Sequence, residues 1–292
     1  MTADADRIAQ YWGREHLAEA ILTPLTARGV SLDALTVDAL APVDQFHGGG
    51  KPVTGRLARL AAIRPGTRVL DVGGGFGGPA RTLAVEFGCH VTGIDLTDSY
   101  VRAAKVLTAR MGLDARVTHQ VGDALALPFP DGAFDLVWSN LALVWVEDPP
   151  AALRELHRVL APGGLLMFSS YGPDTLRELR SAFSAASPAR RVHSFADMHD
   201  VGDALVACGF ALPVMDVETI TLTYSRVEDL VRDLRVSGQT CAAADRSRAL
   251  TGRGTWQRML AAYENERKNG RLRATIEIVY GHAWKGDRKS VV

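Results

Sequence analysis

In the stretch VLDVGGGFGGPARTLA, Val69 to Ala84, five of the six residues from Gly73 to Gly78 are glycine, and a short apolar run ending in an aspartate leads into them. Backbone this rich in glycine turns sharply and lies close to something. What it approaches decides what the chain does. The apolar run TRVLDVG reads as a strand, and GPARTLAVEFG as a helix stopped by Gly88.

Outward from that stretch, short apolar runs keep alternating with amphipathic ones. HVTGIDL is expected to be a strand, DSYVRAAKVLTARMG a helix, RVTHQVGDA and FDLVWSNLAL strands, PAALRELHRVLAPGG a helix and LLMFSS a strand. Strand and helix in strict alternation imply a parallel sheet with helices on both faces. SFADMHDVGDALVACGF then predicts a helix, PVMDVETITLTY a strand and ATIEIVYGHAW a final strand. The segment between those last two strands, about 225–272, is helical in pattern and too long for a hairpin loop, so it is expected to form a cap. Residues 5–63 read as polar and helical, interrupted by DQFHGGGKPVTG. That interruption is not a phosphate loop, because Pro52 follows Lys51 where Ser or Thr is needed and no strand precedes it.

Gly73, Gly75 and Gly78 satisfy G-x-G-x-x-G, which several nucleotide folds share. The acids around the turn are more selective. Asp71 lies two residues before the first glycine, where a carboxylate is unfavourable beside a diphosphate but suits an ammonium or a sulfonium. S-adenosylmethionine carries both. Asp95 closes the next strand, in the place where an acid accepts ribose hydroxyls, and Asp123 ends the third, ahead of Ala124 and Leu125, a setting for adenine. Each aspartate taken alone also fits a turn or helix cap. All three beside one glycine turn point to a methyl-donor site in the crevice at the strand ends, in preference to a nicotinamide site.

The remaining composition bounds the class. The 292 residues carry 33 Lys and Arg against 33 Asp and Glu, 47% of them are hydrophobic, and mean hydropathy is near zero, as in a globular protein of one elaborated domain. No leader pattern and no membrane span is evident, and the expected location is the cytoplasm. Cys89, Cys208 and Cys241 stand apart, without the spacing of a metal site or a disulfide framework. The mild basic excess of the C-terminal half is too small for a general nucleic-acid binder, yet fits one acidic partner.

Through VLDVGGGFGG, GIDLT, GDALALPF, FDLVWSN and RVLAPGGLLMFS the chain resembles the class I S-adenosylmethionine-dependent methyltransferases, over roughly residues 65–285. The resemblance implies an α/β, Rossmann-like sheet of seven strands, an N-terminal helical lid (1–63), a methyltransferase domain (64–285) and a helical cap inserted between the last two strands. It places Asp71, Gly73 and Gly75 at the methionine part of the donor, Asp95 and Leu96 at the ribose, Asp123 and Ala124 at the adenine, and Asn140 at the loop between donor and acceptor. Upstream segments such as DQFHGGGKPVTGRLARLAAI are similar to the sarcosine and dimethylglycine N-methyltransferases. Downstream ones, including LLMFSSYGPDTLRELR, RALTGRGTWQRMLAAYE and YGHAWK, are similar to the malonyl-carrier-protein O-methyltransferases of biotin synthesis, with the change near Asp135–Asn140. On that likeness no single family covers both halves. DRKSVV (Asp287–Val292) carries no fold signal, matches one reading frame of a sequencing adapter, and is expected, with Gly286, to be a disordered, non-native tail.

The two acceptors differ in proton demand. An amine needs a base, for which His47 in the lid segment is the best candidate among the histidines, whereas a malonyl carboxylate is already anionic and needs a cationic holder such as Arg180 or Arg253. Trp138 reads as core, and Trp145 as a wall for the acceptor. QYWGREH replaces the usual tyrosine segment of the biotin enzymes, and Val144 their usual glutamine. The C-terminal likeness favours O-methylation of malonyl-acyl-carrier protein or malonyl-coenzyme A, with Arg190, Arg191, Arg232, Arg235, Arg246 and Arg248 steering an acidic carrier. The alternatives are N-methylation of a small amine and a donor-binding module without turnover.

Overall fold

A computed structural model describes residues 16–45, 50–236, 241 and 250–286. They fall into two compact units. The first runs to Ser170 and takes in Gly202–Met215 and the chain from Tyr280; the second is Tyr171–Val201 with Asp216–Val279. Tyr11, Trp12, His47, Arg246, Arg248 and the Asp287–Val292 tail lie outside the described residues.

The first unit begins with helices α1 (Leu17–Ala27), α2 (Val37–Asp44) and α3 (Gly50–Leu60). Thr36 caps α2 by accepting the Ala39 amide at 3.2 Å. The expected break at residues 44–55 is shorter than it reads, since Gly50 to Gly55 are helical. Pro52 fits there because amides of a first helical turn have no partner within the helix. Lys51 is no phosphate ligand: its ammonium pairs with Asp38 at 2.6 Å and Glu86 at 2.5 Å.

The sheet follows as read: β1 (Arg68–Val72), α4 (Gly78–Phe87), β2 (His90–Asp95), α5 (Asp98–Arg110), β3 (Val117–Val121), β4 (Phe134–Asn140), α6 (Pro149–Val159) and β5 (Leu160–Tyr171). β1 pairs in parallel with β2 and β4, β2 with β3, and β4 with β5. Helices cover both faces of such a sheet, which is why β1 and β4 are buried almost along their whole length. Trp138 at the centre of β4 is 0% exposed and is core. The order of the described strands is β3-β2-β1-β4-β5-β8-β6, completed by the first-unit parts of β6 (Phe210–Tyr224) and β8 (Arg271–Lys285).

Two helices differ from expectation. α7 (Arg177–Ala186) was not legible as an element, although Leu179, Ala182 and Ala186 bury one face of it. α8 (Met198–Ala207) starts later than SFADM suggests, because Asp197 accepts the His199 amide at 2.8 Å and so caps the helix there. The expected cap region contains α9 (Val227–Val236) and α10 (Arg253–Glu264), and the two-residue β7 (Arg267–Lys268) then pairs with β8. Within the second unit, buried Glu178 accepts the Thr275 amide at 3.0 Å and its hydroxyl at 2.5 Å, tying α7 to β8. Among the described residues no helix is long and apolar enough to cross a membrane.

In the first unit β8 lies so close to β5 that Gly281 has no room for a side chain: a Cβ there would sit 2.3 Å from the ring of Phe168, itself 1% exposed. Gly281→Ala should therefore lower stability by roughly 1–3 kcal/mol through overpacking, measured as a lower urea midpoint with an unchanged slope.

Candidate functional site

In a parallel sheet the carboxyl ends of the strands open onto one edge, and ligands bind there. β3, β2, β1 and β4 are neighbours in that order. Their ends bring Asp123, Asp95, Asp71 and Asn140 to the same edge. The glycine turn leaves β1 there. The amides of Gly73 and Gly74 both donate to the Ile94 carbonyl, at 2.8 and 3.1 Å, and the Gly77 amide donates to the Gly74 carbonyl at 2.8 Å. Gly73 has φ 71°, and a Cβ on it would lie 2.1 Å from the Cβ of Ala142 in the loop after β4. Gly73 and Gly75 are partly exposed while Gly74 and residues 76–78 are buried, so bare backbone faces any ligand.

Asp71 is 1% exposed, and its Oδ2 has no hydrogen-bond partner. Burial drives its pKa up to about 7; the Asp95 carboxylate adds to the rise and the Arg81 guanidinium opposes it. An orphaned buried carboxyl is costly unless a ligand compensates it. A cationic ligand favours the ionised form. Below pH 7 the Asp71 proton must leave for such a ligand to bind well, so binding strengthens as pH rises to about 7 and then levels off.

Asp95 is held by the turn it supports. Its Oδ2 accepts the Gly75 amide at 3.0 Å and its Oδ1 the Thr97 amide at 2.8 Å. Burial raises its pKa, and these two amides oppose the rise. The Thr97 side chain also hydrogen-bonds this carboxylate, so only part of its roughly four acceptor directions remains for a ribose. Leu96, next to it, is half-buried. Asp123 follows β3, its Oδ1 accepting the Leu125 amide at 2.9 Å and its carbonyl the Ala126 amide at 3.1 Å. This tight turn leaves Ala124 and Leu125 half-buried. Asn140 ends β4 with its Oδ1 accepting from the Ser169 hydroxyl at 3.2 Å and its buried Nδ2 without a partner. These groups fit S-adenosylmethionine: an anion for its cationic end, a diol acceptor and a hydrogen-bonding turn for the base.

The other expected residues fall elsewhere. Trp145 lies in the 3₁₀ turn Leu143–Trp145 just after β4 and is half-buried. Arg180 and Arg253 belong to the second unit. Arg180 donates to the carbonyls of His193 at 2.9 Å, Thr175 at 3.2 Å and Pro173, so much of its guanidinium is spent on backbone. Arg253 is exposed at the start of α10. His119 is buried against the Thr108 hydroxyl at 2.9 Å, and burial together with nearby Arg81 and Lys105 pulls its pKa to about 4, leaving it neutral. Sequence reasoning missed Arg81 and Asp44, an ion pair at 2.8 Å with side chains 0% and 2% exposed. The available signal was an arginine amid Ala, Thr and Leu on the inner face of α4. Among the described residues no cluster of three or more His, Cys, Asp and Glu forms a metal site.

A parallel sheet whose first strand leads into a glycine turn, with acids closing its first two strands and following its third, defines a class I S-adenosylmethionine-dependent methyltransferase. Residues 70–168 match the family described as "Methyltransferase domain". A malonyl-[acyl-carrier protein] O-methyltransferase of Laribacter hongkongensis is 46% identical over 279 residues, covering 92% of each chain. One from Gallionella capsiferriformans is 44% identical over 234 residues, covering 78% of this chain and 81% of the relative. The chain belongs to the malonyl-[acyl-carrier protein] O-methyltransferase family. The Bacillus subtilis YcgJ protein, 19% identical, shares the fold with a TM-score of 0.59 over 80% of this chain and 98% of its own. The expected split between two families is corrected by the first of these matches, which runs through both halves; the sarcosine-enzyme likeness is minor.

Asp71→Ala and Asp95→Ala should each weaken S-adenosylmethionine binding about tenfold or more, the scale of a lost charge-assisted hydrogen bond. Titration calorimetry on the folded variants measures this directly.

Proposed function

We propose that the chain O-methylates the free carboxylate of malonyl-acyl-carrier protein, or of malonyl-coenzyme A, in biotin synthesis in the cytoplasm. The observation that carries this is the 46% identity over 92% of both chains with a relative of that name. S-adenosylmethionine supplies a methyl group on a positively charged sulfur, and in-line displacement asks the protein mainly for alignment and exclusion of water. In this reading Asp71 with the backbone of Gly73 and Gly75 holds the methionine end, Asp95 and Leu96 the ribose, and Asp123 and Ala124 the adenine. Asn140 begins the loop between donor and acceptor, and Trp145 walls the acceptor side. The acceptor carboxylate is ionised at neutral pH and needs no base, so an arginine holds it; exposed Arg253 suits this better than Arg180, whose donors serve three carbonyls. A role for His47 as base belongs to the amine reading.

Acceptor choice is assigned to the added segments, the N-terminal helices within 1–63 and the insertion of about 225–272, because function in a shared fold resides in what is grafted on it. The insertion presents Arg232, beside Asp229, and Arg235, both exposed, and Arg190 and Arg191 belong to the same unit. These cations suit an acidic carrier.

Presented in parallel with malonyl-carrier protein and sarcosine, the protein should add one methyl group to the malonyl group, read by mass spectrometry; methylated sarcosine with untouched malonyl groups would reverse the assignment. Replacing Arg232 and Arg235 by Glu should raise the KM for malonyl-carrier protein about tenfold at low salt and leave that for malonyl-coenzyme A nearly unchanged, since steering depends on the carrier's charge.

A further inference from the structure

The glycine turn is gripped at its one non-glycine residue. Phe76 places its ring in an apolar cluster with Ile21, Leu22, Leu35 and Leu40 from the N-terminal segment. Its carbonyl accepts from Arg81 Nη2 at 2.6 Å. The same nitrogen donates to Asp44 Oδ2 at the end of α2 at 2.8 Å, while Nη1 donates to the Thr108 hydroxyl of α5 at 3.1 Å. Next to this pair, Gln45 Nε2 donates to the Thr82 hydroxyl at 3.0 Å, and the Thr54 hydroxyl of α3 donates to Gln45 Oε1 at 2.7 Å. Lys51 with Glu86 adds a further tie between α3 and α4. The N-terminal helices thus hold the backbone that faces the donor, by one ring and one carbonyl.

Charge is an unusual means to that end. Burying an ion pair seldom adds stability over apolar side chains of similar volume. Here the long guanidinium does what an apolar side chain does not: it joins a carbonyl five residues back, a carboxylate on α2 and a hydroxyl on α5. The turn it controls holds five glycines, the residue with the most backbone freedom to lose. Ordering such a segment before a ligand arrives removes that cost from binding.

We propose that Asp44 and Arg81 are positioning residues for the donor: through the Phe76 carbonyl their ion pair sets the backbone of Gly73 to Gly75, so donor affinity depends on α2 being docked. The proposal rests on the donor-site assignment above. Its distinguishing prediction is that the pair acts on donor affinity and little on turnover once donor is saturating, because neither residue touches the reacting atoms.

The test compares Asp44→Asn, Arg81→Lys and Thr108→Val with the parent, using Asp95→Ala as the control for the site itself. Three quantities are read: calorimetric affinity for S-adenosylhomocysteine, amide exchange at Phe76–Gly78 without ligand, and the KM for donor against kcat. In Asp44→Asn and Arg81→Lys the affinity should fall about tenfold, exchange should quicken and KM should rise with kcat within about threefold, as expected when preorganisation is lost. Thr108→Val keeps the ion pair and should lose about threefold in affinity by the same argument; it decides the matter if the other two do not fold. Folded variants that melt earlier yet bind within about twofold of the parent would overturn the proposal, leaving a purely structural role. Should Asp95→Ala also bind normally, the donor-site assignment fails; should it alone weaken binding, only the role of Asp44 and Arg81 fails.

Discussion

Two carboxyl groups, Asp71 and Asp95, are brought close together by the pairing of β1 with β2, and their charges repel. Asp71 is buried with one oxygen unbonded, and no fold gains stability that way. Such a group persists where surrounding packing fixes it or a ligand compensates it. The rest of the first unit follows from that constraint. Parallel pairing puts the acids on adjacent strand ends, and the glycine turn lets a ligand come close. The amides of Gly75 and Thr97 neutralise part of the Asp95 charge without consuming its capacity to accept more hydrogen bonds.

The sheet unit and the second unit are each held together by their own contacts. Asp71, Asp95 and Asp123 all lie in the sheet unit, at or just after strand ends whose register is set by parallel ladders. The second unit is organised by its own buried contacts: Glu178 on Thr275, the Tyr263 hydroxyl on the Arg273 carbonyl at 2.7 Å, and Arg180 on three carbonyls.

The elements that were legible are those whose signal is local. Strand and helix alternate with clear periods from Arg68 to Ser170, and the glycine turn and its acids sit at fixed offsets from strand ends, so the sheet and the position of those acids could be read in order. Arg81 and Asp44 could not. They lie 37 residues apart, and an arginine in an amphipathic helix gives the same periodic signal whether it meets solvent or a buried carboxylate. α7 escaped because its buried face is small, with two alanines and a leucine where longer apolar residues mark most helices. The likeness of DQFHGGGKPVTG to one group of enzymes is minor beside identity over 92% of the chain to the malonyl-[acyl-carrier protein] enzymes, which the C-terminal segments had already indicated.

Burial leaves about half of the Asp71 carboxyls protonated at pH 7, and a cationic donor bound against them would ionise the remainder. Calorimetric titration with S-adenosylmethionine in two buffers of different ionisation enthalpy counts the protons released. With the carboxyl at about pKa 7 before binding, release should be about half a proton at pH 7, close to one at pH 6 and small at pH 8, and Asp71→Asn should abolish it. Binding that releases no proton between pH 6 and 7 would show that Asp71 does not ionise with the donor.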